Sequence, residues 1–141
     1  MSATGLKAFD ATLQLTNAWL HELMEELGWT YRERAYHALR AVLHALRDRL
    51  PVAEVAALGA QLPLLVRGVY YEGWHPADKP LKGHRREELL AEIGAAFRED
   101  RDADPERVAR AVFRLLGRHV TSGEVEGVKH LLPAELRALW P

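Results

Sequence analysis

Residues 32–74 read RERAYHALRAVLHALRDRLPVAEVAALGAQLPLLVRGVYYEGW. Apolar side chains recur at Tyr36, Leu39, Leu43, Leu46 and Leu50 in steps of three and four, which predicts one buried helical stripe. Arg40, Arg47 and Asp48 fall off that stripe. Just upstream, Thr30 has Glu33 three residues on, so a capping box is expected to open the helix. Pro51 closes it. A short helix with Val55, Leu58 and Leu62 follows. Pro63 suits the first position of another, where its missing N–H costs nothing, and that helix carries Leu65, Val66, Val69 and Tyr70. Short helices with narrow apolar faces cannot stand alone and must pack on longer ones.

Upstream, Phe9, Leu13, Thr16, Leu20, Leu23 and Leu27 form the stripe of another long helix, which Gly28 ends. The unit is therefore long, long, short, short. Downstream, the segment from Gly73 to Gly83 (GWHPADKPLKG) is rich in Pro and Gly and reads as a linker. A shift of seventy residues then lays positions 17–71 on 87–141 without a gap. Arg40, Ala41 and Val42 meet Arg110, Ala111 and Val112. Leu62, Pro63 and Arg67 meet Leu132, Pro133 and Arg137. Core positions exchange apolar for apolar, as in Leu23/Ile93, Leu43/Phe113 and Tyr70/Trp140. Thr121 with Glu124 makes a capping box, and Asp104-Pro105-Glu106 is a strong helix start. The expected fold is all-α, a tandem duplication of the four-helix unit forming one compact helical bundle. Its parts are residues 1–72, a linker at 73–84, and residues 85–141.

Composition narrows the function classes. The chain has 141 residues, 48% hydrophobic and 28% charged, with net charge −1; this is an ordinary globular balance. Neither half is a basic footprint for nucleic acid. The absence of Cys removes disulfides, thiolate metal sites and cysteine nucleophiles, and fits a reducing, cytoplasmic setting. No signal peptide is read at the N-terminus, and no apolar run is long enough for a membrane helix.

The stretch at 32–74, together with the closing TSGEVEGVKHLLPAELRALWP, resembles the bacterial domain of unknown function 2267 family. The features that carry the resemblance are RERAY…LRAVL, the LGAQLP step, the RGVYYEGW ending and the final LP-x-EL-x-x-LWP. It covers nearly the whole chain, leaving the first dozen residues and the linker. It implies an all-helical bacterial protein and brings no activity and no catalytic residues.

Candidate chemistry is sparse. Ser occurs only at Ser2 and Ser122, and Ser122, near His119, is better explained by its helix start than as a hydrolase nucleophile. The seven His (His21, His37, His44, His75, His84, His119 and His130) contain no H-E-x-x-H. Glu33/His37 and Glu126/His130 are spaced for local charge pairs on solvated faces. No metal, cofactor or catalytic residue is assigned. The aromatic cluster Tyr70, Tyr71 and Trp74 reads first as a seal between the units and second as a partner surface. Lys79, Lys82, Arg85 and Arg86, with His84, read first as a solvated loop and second as a contact for phosphate or an acidic partner. The matched Arg40/Arg110 and Arg67/Arg137 suggest a structural role, such as pairing with the matched Glu54/Glu124 or covering a carbonyl end, and Arg–Glu pairing within each unit is expected.

These features lead to a non-enzymatic helical interaction or regulatory module, with protein as its partner and a homodimer as one arrangement. Exposed apolar surface is expected around Trp74 and the linker. The alternatives are a nucleic-acid-binding protein, disfavoured because a recognition helix at 63–70 would hold Arg67 alone, and a small-ligand binder or enzyme with a site between the repeats.

Overall fold

The computed structural model describes residues 2–82 and 85–141. Among them are eight α-helices and no strand. They are α1 (Lys7–Leu27), α2 (Arg32–Arg47), α3 (Val52–Gly59), α4 (Leu64–Tyr71), α5 (Arg86–Ala95), α6 (Pro105–His119), α7 (Ser122–Leu131) and α8 (Ala134–Arg137). A 3-10 turn, Pro76–Asp78, lies in the connection between α4 and α5.

Local signals account for most boundaries. Gly28 ends α1 in the left-handed region at φ 69°. The N–H groups of Gly28 and Trp29 return to the carbonyls of Glu25 and Met24, which satisfies two of the free helix-end acceptors. Asp104 accepts from the Glu106 N–H at the start of α6, with Pro105 in the first turn. Thr121 accepts from the Glu124 N–H at the start of α7. The expected box of Thr30 and Glu33 does not form. Tyr31 is the residue that caps α2, and no side chain bonds the first turn. The physical reason is one residue away: Arg34 is drawn to Asp100 by two bonds of 2.6 and 3.0 Å and lies over the Trp29 ring. That tertiary anchor shifts the start of the helix by one position.

Two of the helix pairings within a half recur in the other half. Within the halves, α1 lies on α2 and α4, and α5 lies on α6 and α8. Across them, α1 meets α6, α2 meets α5, α2 meets α6, and α3 meets α7. Exchanging the halves maps α1 against α6 onto α5 against α2, and maps the other two cross-contacts onto themselves. One continuous apolar core runs through both halves, from Leu23, Leu43, Leu46 and Leu50 to Ile93, Val112, Phe113 and Leu116. Each such burial contributes about 1.5–3 kcal/mol. Phe113 and Trp140 stack at 4.6 Å.

Polar bonds tie the halves together as well. Arg49, itself buried, donates to Glu92 at 2.9 Å, and Arg118 donates to Glu22 at 2.9 Å. The matched arginines do not reach Glu54 or Glu124: one matched pair covers carbonyls and the other takes a different Glu within its own half. Arg67 Nε and Nη2 donate to the carbonyls of Gly59 and Leu62 at 2.8 and 3.0 Å. Arg137 donates to the carbonyls of Lys129 and Leu132, both at 2.9 Å. These four acceptors are equivalent positions in the seventy-residue register. Carbonyls at and just past a helix C-terminus lie at the negative end of its dipole, and the arginines add charged donors there, although the Gly59 and Lys129 carbonyls also accept from the Leu62 and Leu132 N–H groups. Arg40 instead pairs with Glu72, and Arg110 with Glu106.

Candidate functional site

The aromatic cluster is a structural element of the first half. Tyr70 has 0% exposure, and its hydroxyl donates to the Val55 carbonyl at 2.8 Å. Burial holds the phenol well above its ordinary range, so it stays a neutral donor. Tyr70 is therefore no part of a partner surface. Tyr71 and Trp74 are half-buried, pack on the core and lie ring against ring at 5.7 Å. Beneath them is Arg47, expected off the buried stripe but only 3% exposed. It reaches back to the carbonyls of Tyr70 and Glu72 at 2.7 and 2.9 Å and pairs with Asp48.

The linker cations are divided among separate tasks. Lys79 Nζ donates to the His75 carbonyl at 3.3 Å. The Arg86 guanidinium pairs with Glu106, and its backbone N–H is capped by the Glu135 carboxylate at 2.9 Å. Lys82 and Arg85 are exposed. His84 lies outside the described residues.

The remaining titratable groups are mostly engaged. His119 is hydrogen-bonded to Glu22 at 2.8 Å and stacked on Trp19 at 4.8 Å. Burial would raise the Glu22 carboxyl, but the bonds from His119 and Arg118 hold it below the usual range. Burial also lowers His44, whose Nε2–H donates to the Val69 carbonyl at 2.7 Å. His37 lies 3.7 Å from Glu33, whereas Glu126 faces Lys129 rather than His130. One Glu-x-x-His spacing escaped the sequence reading: Glu72 and His75. It straddles the end of α4 instead of sharing a helical face. Among the described residues no three metal-ligating side chains converge. The cleft between the halves at His37, Arg40, His44 and Glu92 holds about 180 Å³, too little for a typical ligand pocket.

The open apolar feature lies elsewhere, between the first half of α1 and α4. In the seventy-residue register α5 begins at the counterpart of Thr16, so α1 extends beyond it by residues 7–15. This overhang is held by Thr12, whose hydroxyl accepts the free Leu65 N–H near the start of α4 at 2.9 Å. The two helices then bound a groove of about 480 Å³, with Phe9, Leu13, Leu64, Leu65 and Val69 on its walls. Phe9 is 50% exposed and Leu64 is 53% exposed. A second hollow of about 360 Å³ shares Leu13, Leu65 and Val69 and continues toward Leu20 and Tyr36. The neighbouring Asp10 is held low by bonds from Ser2 and Thr4, so its charge is already satisfied. The sequence signal was present in the length of α1, whose stripe begins upstream of the position that matches the start of α5 in the seventy-residue register. Periodicity alone assigned Phe9 and Leu13 to the core.

No helix is long and apolar enough to cross a membrane among the described residues. A family model described as "Uncharacterized conserved protein (DUF2267)" matches residues 16–139. The search of curated proteins returns no match. The matched span takes in Leu64 and Leu65 and begins just after the overhang that carries Phe9 and Leu13.

Proposed function

We propose, from the premise that this chain belongs to the DUF2267 family, that it is a non-enzymatic helical interaction module working in the cytoplasm. Its binding surface is the apolar groove between the α1 overhang and α4, and its occupant is an amphipathic helix of a protein partner. The observation that carries this reading is the contiguous exposure of Phe9, Leu13, Leu64 and Leu65 along one groove; Leu6, Leu15, Tyr31, Val52, Leu81 and Leu131 are exposed as well but do not line it. Exposed apolar surface of this kind marks interaction sites. A groove walled by two helices suits a third, with anchors at three- and four-residue spacing. Nucleic acid fits less well, because Arg67 is bound to carbonyls and Arg86 to Glu106. The tandem duplication belongs to the same reading: a doubled unit supplies a rigid scaffold, and the unmatched overhang gives one copy a surface that the other lacks.

The test is affinity capture from the host with wild type, Phe9→Ser/Leu64→Ser and Trp74→Ala, with crosslinks mapped by mass spectrometry. A protein partner crosslinked to α1 and α4 should be lost in the double variant and kept in Trp74→Ala. Loss only in Trp74→Ala would move the surface to the aromatic cluster. Recovery of salt-sensitive nucleic acid alone would overturn the reading. Light scattering on the same samples shows whether the helix in the groove comes from a second copy.

A further inference from the structure

Glu54 of α3 and Glu124 of α7 occupy equivalent positions in the seventy-residue register, and both lie where α3 meets α7, with Glu54 reaching the side of α7 at Gly127, one turn on from Glu124. The exchange of halves maps this contact onto itself, so residues near its centre lie beside their own counterparts. The approach is tight. A Cβ added at Gly127 of α7 would sit 3.1 Å from Glu54 Oε1, so the glycine leaves the room that the Glu54 carboxylate uses. Glu124 Oε2 is buried and has no donor among the described residues. Two ionised carboxylates in such a contact repel, whereas one shared proton turns the contact into a hydrogen bond.

We propose that the α3–α7 seam is a proton-operated latch, closed while Glu54 and Glu124 share one proton and slackened when both are ionised. The groups around it leave the pair without a cation. From α4, Tyr70 faces both glutamates as a neutral phenol with Tyr71 beside it, and Arg67 is bound to the carbonyls of α3 and its following turn. From α2, Arg47 reaches Tyr70 but is held by Asp48 and two carbonyls. On α7, Lys129 faces Glu126. On α6, Arg118 and His119 are engaged by Glu22. Among the described residues the seam has one further polar tie, the two bonds between Gln61 and Thr121 at 3.0 and 2.8 Å, and neither of these titrates.

Burial, then the hydrogen bond and repulsion from Glu54, raise the Glu124 carboxyl from 4.5 to about 7. The folded chain keeps a proton that the unfolded chain releases. The latch therefore contributes fully below the unfolded carboxyl range and is lost as pH rises through about 7. His44 acts in the opposite sense, because its lowered pKa removes stability as pH falls below its ordinary value. The informative quantity is thus the difference between wild type and variant.

Two measurements decide the matter. Carbon-detected NMR of the side-chain carboxyls in the whole wild-type protein should show the pair releasing its shared proton near neutrality. Midpoints below about 5.5 for both groups would overturn the latch. Amide exchange in α3 and α7, corrected for intrinsic rates, should lose protection by at least about fivefold between about pH 5.5 and 8.5 in wild type. It should stay level in Glu124→Gln, whose amide donates to Glu54 at every pH, with Glu54→Gln as the second variant. An equal loss in wild type and both variants would also overturn it.

Discussion

Arg47 ends α2 in a place where a charged side chain is rarely found. It is buried, it pairs with Asp48, and it donates to the carbonyls of Tyr70 and Glu72, which the end of α4 leaves free. A buried guanidinium with all these acceptors is tolerated; removing it strands an acid and two carbonyls. We expect Arg47→Met to lower stability by about 3 kcal/mol in urea unfolding. A loss below about 1 kcal/mol would mean that solvent reaches those carbonyls as readily as Arg47 does. Sequence pattern could not find this residue, because a position beside the stripe looks solvated until the chain folds back over it. Tyr70 was legible as an aromatic that needs a polar partner, but the identity of that partner, the Val55 carbonyl, depends on α3 lying beneath α4.

The element that most departs from its own pattern is α1. From Trp19 to Leu27 its stripe is buried, while the same stripe at Phe9 and Leu13 is open. The turn that decides this is held by Thr12, which caps α4 through the Leu65 N–H. Replacing a capping hydroxyl typically costs about 1 kcal/mol. Thr12→Val should therefore speed amide exchange at Leu65 and along residues 7–15 while α2 exchanges as before. Unchanged exchange at Leu65 would show that the cap does not hold the overhang. The other capping signals divide by context. Asp104 accepts from the Glu106 N–H and Thr121 from the Glu124 N–H as their spacing predicts, although Gln61 takes the Thr121 N–H that the Glu124 side chain was expected to meet. Thr30 does not, because Arg34 is claimed by Asp100.

Across the whole molecule, the halves are joined by extensive helix contacts. α1 lies on α6 and α2 on α5, so each half shields apolar stripes of the other. Neither half encloses a core by itself. Residues 1–82 and 83–141 made as separate chains should each melt without a cooperative transition, and mixing them should restore one. A sharp transition in either alone would show that the halves fold independently. The linker takes part in this closure, since the Leu81 N–H donates to the Asp48 carbonyl at 2.7 Å.

The sequence by itself determined the helices, their order and most of the core. Period, proline position and a glycine that must take positive φ are local quantities, and Leu23, Leu43, Leu46 and Phe113 are buried where the three-and-four spacing puts them. The seventy-residue register also sets Glu54 against Glu124. Only the tertiary structure decided that they face each other rather than Arg67 and Arg137, that the cations of the linker are parted, and that the open apolar surface lies along α1 and α4 and not at Trp74. Each of these depends on which helix covers which face. That choice is made by long-range packing, and no spacing along the chain records it.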